Sequence, residues 1–193
     1  MNSTQSPTNL ASEHRVRRAQ STETKEVCNI LASAFAQDPV MQWMNQHPQI
    51  YASLFRAEAV PLYMKKGQVY INEAHTGAAM WVPPGVSHEA PLHWTLLPML
   101  WNLFRTGGLQ SLRRGTALEK MFKHHHIQEP HYYLHTLGAM QGNQGKGIGS
   151  ALLREGLAVC DLHHAQAYLE SSNIKNNALY ERFGFRVTRE VVL

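Results

Sequence analysis

Apolar positions along the chain fall into short runs whose period changes. Val27, Ile30, Leu31, Ala34 and Phe35 recur at helical spacing behind the capping quartet Ser21-Thr22-Glu23-Thr24, and Asp38-Pro39 ends that segment. A short strand is predicted ahead of it, from His14 to Ala19. A second helix is predicted from about Gln49 to Lys65, with Gly67 as its breaker. Gln68–Asn72 and Ala78–Val82 read as two strands joined by a His75-Thr76-Gly77 turn and closed by Pro83-Pro84-Gly85. Residues 91–106 are apolar with proline and tryptophan interruptions, and Leu109–His125 has helical spacing, so residues 90–127 read as a helical insert. Strand Tyr132–Leu137, helix Ile148–His163, strand Ala167–Glu170, short helix Asn176–Phe183 and a last strand Phe185–Val192 complete the order. Strands and helices mixed in this way predict one α/β unit over residues 14–193. Residues 1–13, rich in Ser, Thr and Asn, read as a disordered tail.

The chain has 193 residues, 44% of them hydrophobic, enough for one domain with a real core. It holds no run of eighteen apolar residues, and the polar start Met1–Arg18 lacks the apolar stretch of a secretory signal, which predicts a cytoplasmic protein. Cys28 and Cys160 sit in amphipathic helical patterns and read as reduced core thiols; no CxxC or Cys/His spacing suggests a metal. The runs His124-His125-His126 and His163-His164 do not change this, because consecutive helical residues point in different directions. The formal charge of +4 owes part of its excess to Arg105, Arg113, Arg114, Lys120 and Lys123. These read as a solvated helix face; without interleaved stacking aromatics, nucleic acid is not expected as partner, and without an apolar window neither is a membrane. A mild positive balance suits a small polyanionic ligand.

The chemistry concentrates in Gln144-Gly145-Lys146-Gly147-Ile148-Gly149, between a predicted strand and a helix with the apolar face Ile148, Leu152, Leu153, Leu157 and Cys160. Alternate glycines let the backbone approach a ligand and expose N–H groups at a helix N-terminus, where the macrodipole favours anions. A phosphate or pyrophosphate cradle follows. It is not a P-loop, since Gly147 follows Lys146 and Met140 stands where the first glycine belongs. Nor is it a dinucleotide fingerprint, since Ser150 replaces the third glycine.

Gln144-x-x-Gly147-x-Gly149 resembles the acyl-coenzyme A pyrophosphate loop of the GNAT superfamily of N-acetyltransferases. Asn173, Tyr180 and Gly184-Phe185 downstream resemble that family's second signature, and Leu169-Glu170 with Tyr180-Glu181-Arg182-Phe183-Gly184-Phe185 is similar to the puromycin-type antibiotic acetyltransferase branch. The likeness is close over Tyr132–Thr188; earlier residues match only in element order, with Trp81-Val82-Pro83-Pro84 as a further echo. It implies an α/β (α+β) fold with a mixed, mostly antiparallel central sheet, helices on both faces and a V-shaped splay between the fourth and fifth strands. It also implies acetyl-coenzyme A as co-substrate, with the cofactor-binding half at about 131–188. Backbone groups of Leu137, Gly138 and Ala139 would hold the pantetheine. Gln144, Gly145, Lys146, Gly147, Ile148, Gly149 and Ser150 would hold the pyrophosphate, with Asn173, Asn176 and Tyr180 along the arm.

Tyr180 resembles the family's general acid for the leaving thiolate; a phenol near pKa 10 can lend its proton to a thiolate whose acid is near 8.5. The base is open between Glu170, His135 on the neighbouring strand, and a chain of waters. Trp43, Trp94, Trp101 and Phe104 read as core packing, with an acceptor pocket as the second reading. The implied activity is transfer of an acetyl group to a primary amine of a small molecule by direct attack in a ternary complex. A protein N-terminus or lysine as acceptor, and a non-catalytic acyl-coenzyme A sensor, are the alternatives. Two departures stand out. Gly138-Ala139-Met140-Gln141-Gly142 lacks the family's usual apolar residue and proline before the loop. The chain also stops at Leu193, after the predicted sixth strand, where the family continues into a seventh. The last two strands would then pair directly, leave the gap open, or accept a strand from another chain, which would make a homodimer contact at the C-terminal sheet edge.

Overall fold

Five strands lie in one sheet in chain order: β1 (Val16–Arg18), β2 (Gln68–Asn72), β3 (Gly77–Val82), β4 (His131–Ala139) and β5 (Gln166–Leu169). The first three pairings are antiparallel and β4–β5 is parallel. This is seen in a computed structural model that describes residues 14–87 and 91–191. The predicted tail, residues 1–13, and the end of the predicted last strand lie outside the described residues.

Strand alternation sends side chains into two cores. Val69 and Ile71 of β2, Ala78, Met80 and Val82 of β3, and Tyr133 of β4 pack under α1 (Thr24–Ala34) and the helix that begins with α3 (Tyr51–Glu58). Their neighbours Tyr70, Ala79, Trp81, Tyr132 and Leu134 pack on the opposite face under α5 (Ile148–Leu162). The helices therefore lie on both faces of a mixed, mostly antiparallel sheet. Cys28 and Cys160 are free and buried, one in each core. Burial pushes their thiols up to about 12 and about 11, so both stay protonated.

Three local features depart from the sequence reading. Asp38-Pro39 ends one segment but also starts another: the Asp38 carboxylate accepts from the N–H groups of Val40 and Met41, both at 3.0 Å, and α2 (Pro39–Met44) follows. The helix predicted to run to Lys65 passes through a π-helical turn, Ala59–Tyr63, before Met64–Lys66. Pro61 lies inside that turn, and a residue without an N–H cannot supply an ordinary α-helical bond there. Residues 186–191, predicted as strand, join no ladder and are exposed. An extended segment without a partner or a buried face has nothing to hold it as a strand.

The insert is α4 (Leu96–His125), split into two rods at Gly108, whose φ of 57° and ψ of −152° only glycine adopts at low cost. The second rod begins at Leu109, where the sequence predicts it. The last helix, the short α6 (Asn177–Glu181), follows a 3₁₀ turn, Ile174–Asn176.

Gly156 on α5 lets the Trp81 indole lie flat against the helix. A β-carbon there would meet ring atoms at 2.3–2.5 Å in a site where Trp81 is fully buried. Gly156→Ala should therefore destabilise the protein by roughly 1–3 kcal/mol despite its gain in helix propensity. Urea denaturation monitored by circular dichroism measures this, and an unchanged midpoint would mean that Trp81 has room to move.

Candidate active site

The site begins with a bulge. Met80 pairs with Thr136 while Trp81 pairs with Leu134, so His135 is an extra residue on β4. The bulge shifts the alternation by one position. Leu137 and Ala139 join Tyr132 and Leu134 on the α5 side, while a β-carbon on Gly138 would meet Ala34 and Phe35 of the α1 side. The parallel pairing with β5 ends at Leu134–Leu169, and beyond that pair the two strands part. The Met140 N–H donates to the Thr76 carbonyl, so by strand alternation the N–H and C=O groups of Leu137 and Ala139 face the opening rather than β3.

A cleft fills this V. Its lining includes Phe35, His135, Thr136, Leu137, Glu170 and Tyr180, with Ser171, Ser172 and Asn176 at its edge. The Thr136 hydroxyl is buried there without a hydrogen-bond partner among the described residues. A buried, unpaired hydroxyl costs free energy, which suits a site that a ligand's polar groups complete.

Tyr180 projects from α6 into the cleft. Burial first, and the charge of Asp38 second, push its phenol up to about 12, so it keeps its proton. Asp38 also accepts a hydrogen bond from the Ser172 hydroxyl, which ties the segment after β5 to the start of α2. Glu170 is heavily engaged: its carboxylate accepts from the Tyr133 hydroxyl at 2.8 Å and the Tyr168 hydroxyl at 3.0 Å, and His126 Nδ1 lies 3.5 Å away. Its charge, added to burial, holds both phenols above their ordinary range. His135 stacks on the Tyr63 ring at a centroid distance of 4.9 Å, and its Nε2 is 2.6 Å from a Glu58 oxygen. With Nε2–H donating to Glu58, Nδ1 keeps a lone pair.

The glycine loop stands at the N-terminus of α5. Gly145 and Gly147 have φ of 78° and 85°, in the left-handed region, and Gly147 caps the helix. His14 donates from Nε2 to the Lys146 carbonyl at 2.7 Å, bracing the loop. Gln144 makes only a long contact, 3.5 Å, to the Ala139 carbonyl. The Ile148 side chain is buried in the core, so only its backbone is available; Gly149 and Ser150 open the first helical turn. Asn173 does not line the cleft: its side chain accepts from the Lys175 N–H at 3.1 Å and caps the 3₁₀ turn.

Several contributors have no motif to reveal them. Glu58 reaches His135 across 77 residues, and His126, part of a triplet read as bland, reaches Glu170 from the end of the insert. Only the tertiary fold brings them in. The reading of Trp43, Trp94, Trp101 and Phe104 as core or pocket is corrected. Trp43 is half-buried under the Arg114 guanidinium, and the other three are exposed. Away from the cleft, Glu23, Glu26 and His75 converge, with Arg17 already paired to Glu23 and His75 to Glu26.

The sheet thus splays after a bulge, with a glycine-capped helix at the mouth of the gap. Residues 114–185 match the Acetyltransferase (GNAT) family. The chain is 24% identical over 196 residues to an uncharacterised N-acetyltransferase of Schizosaccharomyces pombe, covering 92% of this chain and 76% of that one. Among solved structures it is similar to a histone acetyltransferase HPA2 and related acetyltransferase from Corynebacterium glutamicum, with a TM-score of 0.60 and 22% identity over 88% of this chain and 83% of the other. It is also similar to a GNAT family acetyltransferase from Brucella melitensis in complex with acetyl-CoA, with a TM-score of 0.51 and 17% identity over 90% and 82% of the two chains. The family match over residues 114–185 and these relatives support an acyltransferase of the kind that uses acetyl-coenzyme A.

Asp38 serves two structures at once, the start of α2 and the Ser172 edge of the cleft. Asp38→Ala should cost about 1–2 kcal/mol, the size of a lost helix cap and its hydrogen bonds. Ser172→Ala, which spares the cap, should cost less. Chemical denaturation of the two variants gives the comparison; equal losses would mean that the cap contributes little.

Proposed function

We propose that this protein moves the acetyl group of acetyl-coenzyme A to a primary amine of a small molecule by direct attack within the splayed cleft. The observation that carries the reading is that Tyr180 and His135, the latter bonded to Glu58, line one opening. Outward-facing backbone groups of Leu137 and Ala139 would hold the pantetheine and polarise the thioester carbonyl. The loop N–H groups from Gly145 to Ser150 would hold the pyrophosphate, aided by the helix dipole. Asn176 at the cleft edge is better placed for the arm than Asn173, whose carboxamide oxygen is already used.

The acceptor amine arrives protonated and must lose a proton before attack. His135 takes it at Nδ1 while Glu58, bonded at Nε2, holds the ring and stabilises the imidazolium, the logic of an oriented base. Glu58 is 41% exposed, so its carboxylate also draws a cationic amine toward the cleft. Glu170 serves a supporting role, orienting Tyr133 and Tyr168 beside His135. Tyr180, kept protonated, donates to the departing thiolate; its hydroxyl has no other partner among the described residues. A single carboxylate and imidazole backed by Tyr63, Tyr133 and Phe35 form a compact acceptor site, which favours a small amine over a polypeptide. The outer edge of β5 is where a second copy would add a strand.

Calorimetric titration with acetyl-coenzyme A should show binding in the micromolar range that Gly147→Glu abolishes, because the substitution puts a carboxylate and a strained left-handed residue in the cradle. No binding by the folded wild-type chain would sink the reading. In a turnover assay with a panel of alkylamines, aminoglycosides and peptides with free N-termini or lysines, the small amines should be acetylated. Tyr180→Phe and His135→Gln should each lower kcat roughly hundredfold with little change in acetyl-coenzyme A affinity. Turnover confined to the peptides would move the protein to the polypeptide-acetylating class.

A further inference from the structure

The first rod of α4 carries apolar side chains on two faces. Inward, Leu103 is buried in the core and Met99 packs against it, with hydrogen bonds beside them. Asn102 donates to the Ser53 hydroxyl at 3.1 Å, and Thr106 accepts from Asn45 at 2.8 Å. Thr95, at the start of the rod, is buried. Its outward face is apolar: Leu97, Leu100, Trp101 and Phe104 recur at i, i+3, i+4 and i+7, so they form one stripe. Leu97 is 70% exposed, Trp101 62% and Phe104 50%, with Trp94 at the edge of the same face. A contiguous apolar stripe of this kind marks a contact surface, since single exposed apolar residues are ordinary but an aligned set is not.

Charge selects the occupant. Residues 91–126 hold Arg105, Arg113, Arg114, Lys120 and Lys123 against Glu119 alone, an excess of four. That excess equals the +4 of the whole chain, so the remainder is balanced. At the stripe itself, Arg105 is exposed beside Phe104, and the Arg56 guanidinium lies 5.7 Å from the Trp94 ring centre. Two copies meeting through this face would press two positive inserts together. An anionic surface gains from both the stripe and the charge.

We propose that the outward face of the first rod of α4 docks on an anionic lipid surface, lying in the headgroup plane with Leu97, Leu100, Trp101 and Phe104 dipped toward the acyl chains. The pairing of an aliphatic and aromatic stripe with flanking arginines and lysines is that of an interfacial helix. No helix among the described residues is long and apolar enough to cross a membrane, so the association is peripheral. It departs from the expectation of no membrane partner, which rested on hydropathy windows that do not detect a short stripe. The surface is separate from the cleft, so docking leaves the acetyl-transfer residues untouched.

The test is flotation of the full chain with vesicles of phosphatidylcholine alone and of phosphatidylcholine mixed with phosphatidylglycerol. The protein should float with the mixed vesicles, less so as salt is raised, and not with the neutral ones. A Leu97→Ser/Trp101→Ser double variant should bind at least about tenfold more weakly while keeping its circular dichroism and its acetyl-coenzyme A affinity. Independently of any variant, lipids brominated on their acyl chains should quench part of the wild-type tryptophan fluorescence. Failure to float with mixed vesicles at low salt, or equal binding to both kinds, would overturn the proposal. So would light scattering that shows a wild-type dimer converted to monomer by the double variant, which assigns the face to a second copy.

Discussion

The bulge at His135 is the constraint on which the site depends. Two residues of β4 oppose one step of β3 there, and the face alternation of the strand changes phase. Before the bulge, Tyr133 faces the α1 core; after it, Gly138 does. The same extra residue lets β4 stay paired to β3 while it turns away from β5 beyond Leu134–Leu169. Without the divergence, Leu137 and Ala139 would spend their backbone groups on a ladder, and nothing would be left to receive a ligand. The unpartnered hydroxyl of Thr136 is a second sign of the same incompleteness.

Around this opening the protein places polar groups with different degrees of freedom. Glu170 is locked by two phenols and a histidine, whereas the His135–Glu58 pair is more open and keeps one ring nitrogen available. A carboxylate that already accepts several hydrogen bonds is held in place and makes a good brace. Tyr180 is the opposite case, a half-buried phenol with no hydrogen-bond partner among the described residues. The π-helical turn that begins just after Glu58 belongs to the same arrangement, since it lies between Glu58 and Tyr63, which hold His135 at its nitrogen and at its ring face.

The insert shows that hydrophobicity along a helix does not state which face is inward. α4 fastens its first rod with Leu103, Asn102 and Thr106 and leaves Leu97, Leu100, Trp101 and Phe104 outward. Periodicity identifies a stripe, and a stripe is ordinarily read as core. Here the neighbouring surface of α3 and the α2–α3 connection offers hydrogen-bonding groups, Ser53 and Asn45, so Asn102 and Thr106 pack inward beside Leu103 and the second apolar stripe is left outside.

Local chemistry along the chain determined the loop, the strand pair β2–β3 and the break at Gly108, because each depends on residues within one or two turns of one another. Gly147 can take a left-handed backbone at little cost in any fold, and a glycine-capped helix attracts anions in any fold. What only the tertiary structure decided are the meetings across long separations: Glu58 with His135, His126 with Glu170, Asp38 with Ser172, His14 with the loop carbonyl. It also decided that residues 186–191 remain unpaired, and that Trp94, Trp101 and Phe104 face outward. These outcomes depend on which surfaces are left after the sheet and helices have packed, and a sequence carries that information only through the whole set of its contacts at once.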